Sequence, residues 1–426
     1  MNQTMPRRTH LQVAIAGGGI AGVTLALALS RLPHISLSLY ESAHGFSEVG
    51  AGISIGPNAV RILDWLGVGD AYREAADSLA PPWRDIWFEW RTAASADLIG
   101  TTLAPPVGQS SIHRADLLDL LTEKLPSASL HFNKRIIDAR TGADGRVSLE
   151  FSDGSRACCD LLIGADGIHS ALRNIVLTER GLARVDPLFT GTLAWRGLIE
   201  TETLNRRFDW SGFDRRLIDI PQMHLGDNAH ILTFPVKKGA LINVVAFRTD
   251  PARRHVALAP DEPWVTGVSR PQLMAEFEGW SAPVRTILSA IKRPSRWALH
   301  ELPPLETWHT GHIALIGDAA HAMLPHQGAG AGQGIEDAWF LSRLLSAPTL
   351  TRRDIPVVLR QYDALRRPRA TAVQRTSSEA GDLYEMRSLA ARQRPQLEHQ
   401  LATRFDWLWQ HDLRRDLERA RSALGA

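Results

Sequence analysis

The chain has 426 residues, 44% apolar and 22% charged, a globular composition too long for one ordinary core. Its 48 Lys+Arg and 46 Asp+Glu leave a formal net charge of +2, so no overall field recruits nucleic acid or an anionic membrane. The adjacent Cys158 and Cys159 are its only cysteines; they offer neither a disulfide framework nor a C-x-x-C redox pair and point to a reducing, cytoplasmic compartment.

Arg7-Arg8 and the apolar run over residues 11–29 have the outline of a secretory or twin-arginine leader. Cleavage there would remove Gly17, Gly19 and Gly22, which have a better use. The run LQVAIAGGGIAGVTLALALSRL predicts a buried strand over 11–16, a glycine turn and a helix over 20–32. A second strand, ISLSLYE, ends in Glu41. This is a β-turn-α-β unit with G-x-G-x-x-G and a terminal acid, the outline of a dinucleotide site. Gly17 permits the tight turn, Gly19 the approach of a pyrophosphate, Gly22 close helix–strand packing, and Glu41 accepts from ribose hydroxyls.

Pro57-Asn58 open a short helix, residues 81–91 (PPWRDIWFEWR) alternate as a strand, and Arg114 precedes an amphipathic helix. Strands over 147–151 and 160–163 flank the turn Asp153-Gly154. Between about 190 and 247 strands follow one another without helices, which predicts a mainly antiparallel sheet inserted into an α/β core. From about 354 the pattern is helical and rich in arginine; the interspersed acids favour a solvated face. No apolar run after the first is long enough to span a bilayer. The 13 tryptophans read as core anchors, Trp87 and Trp90 included, with an aromatic pocket as the alternative use.

Two further turns present acids at strand ends: LLIGADGIHSALR with Asp166, and LIGDAAHAMLPHQGAGAGQGIEDAWF with Asp318. In the latter, glycines alternate after His326, ahead of a helix expected over 332–344. Their bare N–H groups, together with the positive end of the helix, suit the anionic edge of a reduced isoalloxazine ring.

The three fingerprints together resemble those of the single-component FAD-dependent aromatic hydroxylases. SEVGAGISIGPNAVR, VGQSSIHRADLLD, IPQMHLG, HILTFPV and ATRFDWLWQHDL are similar to the bacterial salicylate-acting branch over nearly the whole chain. The resemblance implies a Rossmann-like FAD domain of the glutathione-reductase type, an inserted, mainly antiparallel β substrate domain and a C-terminal helical segment. The expected division is 1–80, 105–185 and 286–350 for FAD, 81–104 and 186–285 for substrate, and 351–426 for the helices.

The resemblance also implies bound FAD, transient NADH, O₂ activated at the flavin C4a position, and a small aromatic acid as substrate. The acid expected is salicylate, decarboxylated to catechol; the alternatives are 6-hydroxynicotinate or 3-hydroxybenzoate. Carried over by motif, Gly17, Gly19, Gly22, Glu41, Arg114, Asp166, Asp318, Gly330 and Ala331 face the cofactor, while Met223 and His326 face the substrate. His326 is the catalytic candidate, a hydrogen-bonding partner for the phenolate; His321 is read as structural. No metal site is expected. The arginine that would hold the substrate carboxylate is left open among Arg84, Arg196, Arg248, Arg253 and Arg254. A flavin halogenase is disfavoured by the absence of W-x-W-x-I-P. A pure NAD module would not need the second and third fingerprints, and a flavoprotein redox sensor would show no substrate-stimulated NADH oxidation.

Overall fold

The computed structural model describes residues 10–46, 52–209, 212–259 and 261–425; Arg7-Arg8 of the leader reading and the SEVGA portion of the glycine-rich loop lie outside them. The apolar run after residue 10 forms β1 (Leu11–Ala16) and helix α1 (Ile20–Leu29), followed by β2 (Ile35–Tyr40). α1 is apolar nearly all round, as a helix must be when it is covered on both sides: it lies between the sheet and the glycine-rich helix Gly330–Leu344.

The sheet holding β1 runs, in spatial order, His309–Thr310, Ile313–Leu315, Leu161–Gly164, β1, β2 and Leu130–His131. Every pairing is parallel except the one at the His309 edge. Ligands bind such sheets at the carboxyl ends of the strands, and here those ends carry Gly17, Gly164 and Gly317.

A second, eight-stranded sheet runs Val265–Gly267, Ser295–Glu301, Leu188–Glu200, Leu241–Thr249, Ala229–Val236, Gln222–Gly226, Ile86–Thr92 and Leu98–Leu103. It is antiparallel apart from the Gln222–Gly226 and Ile86–Thr92 pair, as the uninterrupted succession of strands predicts. One core lies under the parallel sheet, and another under the outer face of the large sheet, around Trp195, Val244 and Phe277.

Several expectations need correction. The strand expected over 81–91 begins only at Ile86, and instead of alternating it is buried on both faces, because it lies inside the sheet with side chains packed above and below. The partner of Val147–Phe151 across Asp153-Gly154 is Arg156–Cys159; Leu161–Gly164 belongs to the parallel sheet. α1 stops at Leu29, and the glycine-rich helix starts at Gly330 rather than 332.

The largest correction concerns the basic tail. Its helix Ile355–Tyr384 buries Arg366 and Arg369 at 0% and 8% exposure. Arg366 binds Asp337 Oδ1 at 2.9 Å and Glu336 Oε2 at 2.6 Å. Arg369 grips Glu336 with two bonds of 2.7 Å. These acids belong to the Gly330–Leu344 helix, so the tail clamps that helix to the core. Burial opposes ionisation of Glu336, yet Arg366 and Arg369 hold its carboxyl well below the usual range.

Candidate functional site

A cavity of about 720 Å³ runs from Gly18, Gly19 and Glu41 to Met223, Phe247 and His326. At its first end, Gly17 has φ +107°, and an added Cβ would lie 2.2 Å from the Ala165 carbonyl oxygen. A Cβ on Gly22 would lie 2.0 Å from the Gly17 carbonyl oxygen, so both glycines are fixed by close backbone approach. Gly19 differs: nothing lies within 4 Å of its Cβ position. It begins α1, whose start has neither a side-chain cap nor an acid in the first turn. The orphan N–H groups and the positive end of the helix dipole therefore face open space that suits a pyrophosphate. Glu41 follows β2 and accepts from Gly18 N at 2.6 Å and Ala43 N at 2.7 Å, which fixes it at the rim. An FAD dinucleotide fits this cradle.

Arg114, Asp318, Gly330 and Ala331 also line the cavity. The Gly330–Leu344 helix starts without a side-chain cap on Ala329, and the Gly328 and Gly330 Cβ positions come no closer than 3.9 Å to other atoms. That leaves bare N–H groups open to a flat ring. Gly334 has a second use: a Cβ there would lie 2.9 Å from the Ala21 Cβ, so its bareness lets the helix pack on α1.

Asp166 is placed differently from the sequence expectation. Its carboxylate accepts from Ser170 Oγ at 2.5 Å and Ala171 N at 2.9 Å, satisfying the start of the Ala171–Glu179 helix. Its neighbours Ala165 and Gly167 line the cavity; burial pushes the Asp166 carboxyl up. The sequence showed the acid at the turn but not the direction of its side chain.

At the far end, Met223 is 2% exposed and meets Leu232, Phe247 and Trp87 around the space. Trp87 combines both expected uses of tryptophan, packing on Phe405 and Trp409 while lining the cavity. Trp90 is core, donating to Thr102 Oγ1 at 2.7 Å. His326 is seated on the tail helix: a Cβ on Gly381 would lie 2.7 Å from its ring, while Ser377 donates to Leu324 O at 2.6 Å to hold the loop. Burial pushes the His326 pKa down to about 3, so the ring is neutral and its Nδ1 has no protein partner. It can exchange a hydrogen bond with substrate but does not hold a proton near neutral pH. His321 is structural, 2.6 Å from Asp337 Oδ2; the same oxygen accepts from Gly317 N at 3.0 Å, which steadies the turn before Asp318.

Of the five candidate arginines only Arg196 lines the cavity. Arg84 is exposed, while Arg248, Arg253 and Arg254 pair with Glu276, Glu262 and Glu301. The Arg196 guanidinium lies 4.8 Å over the Trp297 ring, and its Nε has no partner. Burial and the nearby cation Arg114 both push its pKa down, the opposite of what a carboxylate neighbour would do. Arg196 is thus a half-buried cation at the substrate end that pairs with no acid among the described residues.

A family model described as an FAD binding domain matches residues 10–186 and 227–377. A salicylate hydroxylase of Pseudomonas putida is 50% identical over 416 residues, spanning 97% of this chain and 96% of that one. A 6-methylsalicylate 1-monooxygenase of Aspergillus terreus is 34% identical, over 95% and 90% of the two chains. A solved salicylate hydroxylase substrate complex superposes with a TM-score of 0.91 at 46% identity, covering 97% of this chain and 98% of that one. The chain therefore belongs to the FAD-binding-domain family, among its flavin-dependent monooxygenases.

Proposed function

We propose that this protein is a cytoplasmic salicylate hydroxylase. Salicylate, NADH, O₂ and two protons would give catechol, CO₂, water and NAD⁺. The observation that carries the reading is Arg196, a half-buried guanidinium facing the aromatic-walled end of the cavity with no paired acid among the described residues; an aromatic carboxylate is the natural complement. The similarity to salicylate hydroxylases supports the choice of acid, and the free thiols Cys158 and Cys159 support the compartment. Among the described residues no helix is long and apolar enough to cross a membrane.

When bound, FAD supplies reduction by NADH and activation of O₂. The start of α1, with Gly17, Gly19 and Gly22 shaping it, would hold the pyrophosphate; Glu41 would take the adenosine ribose; Arg114 and Asp318 would complete the dinucleotide contacts. Gly330 and Ala331, at the uncapped start of their helix, would offer N–H groups to the ring. Asp166 supports the site indirectly by fixing the turn of Gly167. Arg196 fixes the substrate carboxylate and so the ring carbon that bears it, Met223 and Phe247 wall the ring, and neutral His326 takes the phenol hydrogen bond. The apolar walls exclude water, which protects the reactive oxygen from wasteful decay.

The test is NADH oxidation by the FAD-loaded protein, with and without air and salicylate, while catechol and CO₂ are followed. Salicylate-stimulated, O₂-dependent oxidation with matching catechol and CO₂ is expected. Stimulation that yields only H₂O₂ would overturn salicylate as the substrate and leave it an effector.

A further inference from the structure

The floor of the main cavity carries an amide that no other group of the protein satisfies. Among the described residues the buried side-chain amides of Asn58, Gln109, Gln222, Gln327, Gln333 and Gln374 each make at least one hydrogen bond. The Asn243 side chain makes none: the residue is 3% exposed, its Nδ2 is buried without a partner, and it lines the cavity. Across the sheet its neighbours are Leu198 on one side and Phe234 on the other, neither of which can bond to an amide. A buried amide left bare is costly, and a leucine of similar volume would fill the place without that cost.

The register of the sheet fixes where this amide stands. Side chains alternate along the strand Leu241–Thr249: Ile242, Val244 and Ala246 enter the core under the outer face, while Asn243, Val245 and Phe247 line the cavity. Phe247 lies against His326, with ring centroids 5.3 Å apart. Val245 is paired with Arg196. Asn243 ends the row, its Cα about 13 Å from that of Phe247 at the rise of an extended strand. The Arg196 guanidinium leans over Trp297, on the flank away from Asn243, which leaves the space over Val245 to a ring. His326, Arg196 and Asn243 therefore follow one another along the floor. A 2-hydroxy aromatic acid whose hydroxyl meets His326 and whose carboxylate meets Arg196 turns the ring carbon opposite the hydroxyl, position 5, toward Asn243.

We propose that Asn243 is a specificity-determining residue, which gives the site a preference for 2-hydroxy aromatic acids carrying a small hydrogen-bonding group at position 5. The inference rests on the substrate reading above. The amide presents a donor at Nδ2 and an acceptor at Oδ1. A hydroxyl at position 5 can pair with it, whereas a methyl group of nearly the same size leaves both atoms bare. The carbon that bears the carboxylate reacts in the same way in either acid; Asn243 meets only the substituent.

The experiment is calorimetric titration of the FAD-loaded, oxidised protein with salicylate, 5-hydroxysalicylate and 5-methylsalicylate, without NADH, so that no turnover occurs. Wild type is expected to bind the hydroxy acid about tenfold more tightly than the methyl acid. In Asn243→Leu the order should reverse, the ratio of the two dissociation constants moving by about tenfold to a hundredfold. Salicylate itself, which offers the amide nothing, should bind this variant more tightly than it binds wild type. Asn243→Val, smaller and suited to a strand, repeats the comparison where leucine is not accommodated. A ratio that keeps its wild-type value in a variant retaining FAD would overturn the proposal, as would a wild type that binds the methyl acid as tightly as the hydroxy acid. Loss of FAD, or equal weakening of all the acids, would assign Asn243 to the cofactor or the fold and overturn it too. A wild type that binds none of the acids overturns the substrate reading and the preference with it. Failure of the preference alone is distinguishable, because salicylate then still binds and only the ratio is flat.

Discussion

The two ends of the cavity are built in opposite ways. The cradle at the dinucleotide end comes from one continuous stretch, residues 11–41, to which Arg114 and Asp318 are added from elsewhere, and works mainly through backbone: a positive φ at Gly17, an uncapped helix start at Gly19, and an acid after β2. The substrate end is assembled from distant strands and a loop, and works through side chains: Arg196, Met223, Phe247 and His326 come from four separate segments. A backbone site depends on local geometry and fails when a turn is distorted. A side-chain site can lose its selectivity while the fold persists.

The largest break is expected where both ends share a support. Arg366 is a buried link between the tail helix and both Glu336 and Asp337, so Arg366→Met removes the cation these two carboxylates share and should cost about 3–5 kcal/mol, read by denaturant unfolding. The same acids set a pH dependence. Their folded pKa values lie below their unfolded ones, so their contribution is present above the ordinary carboxylate range and is lost as pH falls through the depressed values. Wild type should lose stability on acidification below that range, and the variant should lose less.

Next in size is Arg196→Met, which removes the cation facing the substrate. The expected cost is about 2–5 kcal/mol in transition-state binding, roughly thirty- to five-thousand-fold in kcat/KM for salicylate, with FAD content and melting temperature close to wild type. Loss of FAD instead would place Arg196 at the dinucleotide end. Gly17→Ala should do the reverse. The Cβ has no room beside Ala165 O and the residue sits at φ +107°, so a penalty of about 1–3 kcal/mol falls on the turn, and the protein should purify with less flavin.

The contrast between the ends also explains what could be read before any coordinates. The β1–α1–β2 unit was legible because its reasons are local: period, glycine spacing and a terminal acid fall within one short window. The inserted antiparallel sheet was legible from the succession of strands. The buried tail was not, because the partners of Arg366 lie some thirty residues away, at Glu336 and Asp337, and interspersed acids look the same on a solvated face as on a clamp. The buried hydrogen bond between His230 Nδ1 and Glu385 Oε1 drew no notice because the two residues are 155 positions apart. Arg196 stood among five arginines until their neighbours were known, since which of them pairs with an acid and which lines the cavity is a property of the packed structure. Asp166 was found at the right turn, but the sequence does not say which way a side chain points.

The smallest effect separates two glycines that look alike in the repeat GAGAGQG. Gly330 stands at the open start of its helix, its Cβ position 3.9 Å from Met323, whereas the Cβ position of Gly334 lies 2.9 Å from the Ala21 Cβ. Gly330→Ala removes the entropic cost of glycine in a helix and should raise the stability of the flavin-free protein by up to about 1 kcal/mol. It also puts a methyl group where the ring edge approaches, so flavin affinity should fall. Gly334→Ala instead forces the helix away from α1 and should lower stability with or without flavin. Melting both variants in the presence and absence of FAD gives opposite signs in the flavin-free protein if one glycine serves the ligand and the other the packing. A common sign would mean that the repeat has a single purpose, and the division between ligand approach and helix packing drawn here would have to be abandoned.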